Sequence, residues 1–107
     1  MDNNEYIARI VGRIKEEQPE KIILFGSCAY GNPDKESDID LLVIKDLPIH
    51  EIREFRLNLK LKLWDLIKES NIPVDIIVDN QARMKQRIKD GDMFYQEVLT
   101  KGNVIYA

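Results

Sequence analysis

The stretch Ile23–Ile44, ILFGSCAYGNPDKESDIDLLVI, decides how this chain folds. It opens inside an apolar, β-rich run, KIILF (Lys21–Phe25), which stops at Gly26-Ser27 and reads as a short buried strand. GNPD (Gly31–Asp34) has the composition of a turn. The next apolar run, DIDLLVI (Asp38–Ile44), reads as a second strand, yet it holds two acids. Residues i and i+2 of a strand share a face, about 6.5–7 Å apart. Asp38 and Asp40 are therefore expected to project together, with Ile39 and Leu41 on the opposite side. Two neighbouring carboxylates repel, and the pKa of at least one rises unless a cation lies between them.

Hard divalent cations such as Mg²⁺ prefer oxygen ligands. A pair of such ions about 3.5–4 Å apart clamps in-line phosphoryl and nucleotidyl transfers. Asp75 is a third acid inside an apolar run, VDIIV, and on a neighbouring strand it would complete a cluster of three. Gly26-Ser27 supplies the opposite kind of site. Directly after a strand, glycine lets the backbone approach a phosphate, and a helical turn opened by SCAY would aim free N–H groups at it. Ser27 adds a hydroxyl. Together the parts suggest a nucleoside triphosphate, with its phosphates on the Gly-Ser turn and metals on the aspartates. Taken singly, each part has a plainer reading: Gly-Ser as a turn, Asp38 as a strand-starting residue, Asp75 as an edge-strand acid facing water.

Outward from this stretch, Ile7, Ile10, Val11 and Ile14 recur at helical spacing behind candidate caps Asn3 and Asn4, and Pro19 closes that helix. The segment Glu51–Glu69 is ambiguous, because LNLKLKL alternates like a strand while the length and the Leu, Lys, Glu and Arg content favour helix. Wound as a helix, Ile52, Phe55, Leu59, Leu63, Leu66 and Ile67 form one stripe, expected to be core. Leu57, Leu61 and Trp64 fall on nearly the opposite side. That second stripe is either buried in its turn, scattered on the surface, or a patch for a partner. Pro73–Val78 reads as a third strand, with proline tolerable only at its start. Asp79 is a candidate cap for a helix to about Lys89. A further helix over Met93–Thr100 ends at Gly102, and NVIYA reads as a last short strand.

The chain has 107 residues, expected to form a single domain over 1–107. A domain of this size has little area left for an enclosed pocket, so a partner or second subunit is expected to supply a wall. Sixteen basic residues against nineteen acidic ones give a net charge of -3, which argues against autonomous nucleic-acid binding. A single cysteine, Cys28, forms no internal disulfide, the N-terminus lacks signal-peptide features, and no run approaches a membrane span. A soluble cytoplasmic protein is the expectation.

Gly-Ser, ten residues, then Asp-x-Asp followed by apolar residues resembles the signature of the minimal nucleotidyltransferases of the DNA polymerase β-like superfamily. The likeness spans nearly the whole chain: leading helix, LFGS, SDIDLLVI, a long helix, VDIIV and a final KGNVIY. It implies an α/β (α+β) fold, a mixed sheet flanked by helices. It implies that Gly26 and Ser27 bind nucleotide phosphate, that Asp38 and Asp40 bind metal, and that Asp75 holds the catalytic metal and activates the attacking hydroxyl. Two Mg²⁺ ions and ATP follow from the same likeness. Small members of the family are often paired with a helical HEPN-domain toxin, and some transfer AMP to a tyrosine of that ribonuclease as its antitoxin. Many relatives carry arginine where this chain has Cys28 and Tyr30, which leaves less positive charge for a triphosphate.

Other residues invite weaker readings. His50, the only histidine, is expected to start a helix rather than bind a ligand. The basic run RMKQRIK (Arg83–Lys89) is expected to be a solvated helix face, and Asp90 and Asp92 to flank a turn at Gly91. Three functions remain: an enzyme transferring AMP to a protein, a non-catalytic antitoxin that occludes its partner, and a transferase acting on an aminoglycoside hydroxyl or RNA end. The oligomeric state stays open.

Overall fold

A computed structural model of the chain describes residues 2–26, Ala29 and 38–107. The apolar runs form the four strands expected of them: β1 (Lys21–Phe25), β2 (Ile39–Ile44), β3 (Val74–Asp79) and β4 (Asn103–Tyr106). The helices whose bounds lie among the described residues are α1 (Asn3–Lys15), α2 (Ile49–Ser70), α3 (Gln81–Lys89) and α4 (Met93–Lys101). The sheet order is β3-β2-β1-β4. β1 runs antiparallel to both β2 and β4, whereas β2 and β3 are parallel. The long helix α2 makes the crossover between that parallel pair, as such a connection requires. The result is a four-strand mixed sheet flanked by helices.

Strand alternation sorts the sheet residues into two cores. Leu24, Leu41 and Ile76 face α1 and α2, where they meet Ile10, Leu59 and Leu63. Ile23, Phe25, Leu42 and Ile44 face the other way, onto Met84 of α3 and Tyr95 and Val98 of α4. The 22-residue α2 resolves the ambiguous segment as helix. Leu59, Leu63 and Leu66 are buried, with Ile52, Phe55 and Ile67 packed at the margin. On its opposite side Leu57, Leu61 and Trp64 are 48%, 75% and 62% exposed. Among the described residues, no helix is long and apolar enough to cross a membrane.

Several boundaries shift from the sequence reading. Asp2, not Asn3 or Asn4, caps α1 by accepting from Glu5 N–H at 2.8 Å. Because Asp2 lies outside the apolar stripe, only the cap geometry marks it. α1 ends at Lys15, before Pro19, through a turn in which Gln18 has φ 55°. Asn80, not Asp79, caps α3, because Asp79 is still part of β3 and points into the second core. Asp38 and Pro73 each stand immediately before their strands. The GNPD turn and the helical turn expected of SCAY fall, apart from Ala29, outside the described residues.

Candidate active site

The register of β2 and β3 determines which acids meet. The two strands pair in parallel, and Asp40 lies directly opposite Asp75. On the other flank of β2, Asp40 pairs with Phe25, the last residue of β1. Asp40 shares a face with Leu42 and Ile44, and Asp75 with Ile77, all on the α3–α4 side of the sheet. Across that face the sheet thus carries a row Phe25–Asp40–Asp75 at one end and a row ending in Asp79 at the other. Asp38 stands exposed one residue ahead of β2.

Asp40 is half-buried, and its carboxyl is held above the usual carboxylate range. Burial is the larger cause, followed by the negative charges of Asp75 and Asp38. This is the repulsion anticipated from the sequence, and it favours either a proton or a cation at the site. Gly26 closes the row on the β1 side. It has φ +76°, and a methyl group in place of its hydrogen would run into the Asp40 carboxylate. Only glycine combines that backbone conformation with so close an approach. Ala29 N–H donates back to the Gly26 carbonyl at 3.0 Å. Ser27, Cys28 and Tyr30 lie outside the described residues.

Among the described residues, no three His, Cys, Asp or Glu side chains stand close enough together to hold a metal ion as they are. The donor chemistry nevertheless fits a hard divalent cation. Asp40 and Asp75 are carboxylates in one register row, Asp38 is near enough to act on Asp40 electrostatically, and all three offer oxygen. Asp40 and Asp75 thus share one row at one end of the sheet, and Asp38, one residue ahead of β2, acts on Asp40 through its charge.

One buried acid was read from the sequence only as a helix cap. Asp79, 0% exposed, accepts from Tyr95 O–H at 2.5 Å, Arg83 Nη1 at 2.8 Å and its neighbour's Asn80 N–H at 2.9 Å. The signal available was an acid at the end of an apolar strand with arginine four residues on. Its tyrosine partner lies too far along the chain to be read locally. The phenol of Tyr95 is pushed up by burial and by its bond to Asp79. Two arginines of the basic run thus have structural work: Arg83 pairs with Asp79 and Arg87 with Asp92, at 3.0 Å. Lys85 and Lys89 remain on a solvated helix face as expected, and His50 lies in the first turn of α2.

A shallow cleft of about 740 Å³ lies at the other end of β2 and β3, bordered by Glu20, Asp46, Asn80 and Lys85. Six-residue strands separate it from the acid row by roughly 15–20 Å. It shares no residue with the acid row.

Comparison with known proteins supplies the class to which this sheet and its paired aspartates belong. Residues 7–99 match the family described as "Nucleotidyltransferase domain", and the chain belongs to that family. It is a nucleotidyltransferase. The chain is also 34% identical over 95 residues to a Methanocaldococcus jannaschii protein named "Putative protein adenylyltransferase". That alignment covers 89% of this chain and 81% of the relative.

Proposed function

We propose that the enzyme transfers AMP from ATP to a hydroxyl of a partner protein, a tyrosine of a HEPN-domain toxin ribonuclease, and so acts as its antitoxin. The observation that carries the transfer chemistry is the in-register pairing of Asp40 with Asp75, with the Gly26 backbone packed against Asp40. The name borne by the Methanocaldococcus jannaschii relative, "Putative protein adenylyltransferase", supports a protein acceptor. The HEPN assignment rests on the sequence resemblance, and the exposed apolar side of α2 gives such a partner somewhere to dock.

In this reading Gly26 and Ser27 receive the triphosphate, and Asp38, Asp40 and Asp75 would hold two Mg²⁺ ions. Bound there, the ions would offset the charge of acids and phosphates and polarise the α-phosphate. The acceptor oxygen attacks the α-phosphorus in line. An O–P bond to the acceptor forms, the bond to the bridging oxygen breaks, and pyrophosphate leaves with the bonding pair. Asp75, the more exposed of the two paired acids, takes the hydroxyl proton. Orientation and charge compensation supply most of the acceleration in such a reaction.

The test is an intact-mass spectrum of the co-purified partner before and after incubation with MgATP. The expected result is one discrete added AMP with the wild-type enzyme and none with Asp38→Asn or Asp40→Asn. A partner still modified by either variant removes these acids from the mechanism.

A second reading, silencing by occlusion alone, is favoured by one observation. Leu57, Leu61 and Trp64 form a continuous apolar side of α2 that the fold itself leaves uncovered. Here Asp38→Asn would still neutralise the partner, and charged substitutions at Leu57, Leu61 or Trp64 would release it.

A further inference from the structure

Phe94 stands in the first turn of α4, at the acid end of the sheet. Its ring meets Phe25 edge-on, with centroids 5.6 Å apart and planes at 85°. Phe25 is in turn the register partner of Asp40 on the same sheet face. A second edge contact, to Tyr95, lies at 5.5 Å and 61°. Neither neighbour is parallel to the Phe94 ring, and 43% of the residue stays exposed.

The position is unusually well anchored for an exposed side chain. Asp92 caps α4 and accepts from the Phe94 N–H at 2.9 Å and the Tyr95 N–H at 3.2 Å. The Tyr95 hydroxyl is tied to buried Asp79. Phe94 is thus an aromatic surface fixed beside the acid row and open to solvent.

A nucleotidyltransferase must place a nucleobase as well as a triphosphate, and phosphate-binding groups cannot grip a base. The geometry points to Phe94 as the nucleobase platform of this site, stacking on the base of the bound nucleoside triphosphate. This inference rests on the acid row being the active site. Stacking on one aromatic ring tolerates any base, because every base has a π-face, so the platform contributes affinity more than base selection.

The test measures binding of two probes, MgATP and magnesium tripolyphosphate, the second of which has phosphates but no base. Phe94→Leu keeps an apolar side chain against Phe25 and removes the π-face. Its MgATP affinity is expected to fall roughly five- to hundredfold, the range base–aromatic stacking carries. Tripolyphosphate affinity and thermal midpoint should stay close to wild type, and Phe94→Trp should restore MgATP binding. Unchanged MgATP affinity in Phe94→Leu overturns the platform, including the case where only the KM for the acceptor rises, which would assign the ring to the acceptor. Equal losses for both probes also overturn it, because the ring would then act through packing alone. Asp40→Asn separates the two levels: if that variant binds magnesium tripolyphosphate as wild type does, the active-site assignment itself fails, and the platform with it.

Discussion

At the scale of single residues, the site is organised around the environment of Asp40. Its carboxyl is raised by burial and by two neighbouring acids, so the folded protein holds that proton at pH values where the unfolded chain has lost it. Stability therefore falls as pH climbs from the unfolded pKa through the folded one, and the deficit persists at neutral pH. Asp40→Asn is expected to raise the thermal midpoint at pH 7 without divalent metal while abolishing transfer, as read by calorimetry and a transfer assay. Mg²⁺ should stabilise the wild type more than this variant. Gly26→Ala imposes a left-handed backbone on alanine and a clash with the Asp40 carboxylate. It is expected to cost roughly 1–3 kcal/mol in urea unfolding and to eliminate activity. Asp38, Asp40, Asp75 and Gly26 were legible in the sequence as site candidates because each stands in, or at the edge of, an apolar run that does not want it. Asp79 was not, because its tolerance depends on Tyr95, a residue brought near only by the tertiary fold.

At the scale of elements, two helices differ in what they expose. α2 buries one stripe and leaves the opposite one bare. Leu63→Ala is expected to destabilise by about 2–5 kcal/mol, whereas Leu61→Glu should stay within about 0.5 kcal/mol of wild type, both measured by denaturant titration. The helical winding of the sequence separated the two stripes even where LNLKLKL alternates like a strand, since length and composition outweigh a local period of two. What winding could not settle was whether the second stripe is covered. That depends on the sheet, which here takes only one face of α2. α4 is held differently, through the bond from Tyr95 to Asp79. Tyr95→Phe leaves one buried carboxylate oxygen a donor short, with an expected cost of about 1–3 kcal/mol. The tyrosine's raised pKa adds a pH signature. The unfolded phenol ionises near pH 10.0 and the folded one resists, so stability declines as pH rises past that point. Tyr95→Phe should flatten part of the decline.

At the scale of the whole molecule, β3 and β4 are the edges of the sheet. β3 is guarded: Arg56 of α2 donates from Nε to the Ile76 carbonyl at 2.6 Å. A charged side chain laid over an edge strand blocks the pairing of a second sheet. Arg56→Ala is expected to increase self-association, measurable as a concentration-dependent shift in light scattering. The order of strands was not legible from the runs themselves. Parallel pairing of β2 with β3 follows from the crossover by α2, but nothing local in NVIYA announces that it will lie beside β1.

That last pairing has a consequence for how the molecule comes into being. Ile23 pairs with Val104, so β1 acquires its second neighbour only after all the strands and helices between them have been made. During synthesis the strand that leads into Gly26 has β2 available early, while its other side waits uncovered. Contacts between such distant residues slow folding, because a long loop must close before they form. The nascent chain would therefore spend its longest exposure with the β1 side of the sheet unfinished, the interval in which a chaperone has most to protect.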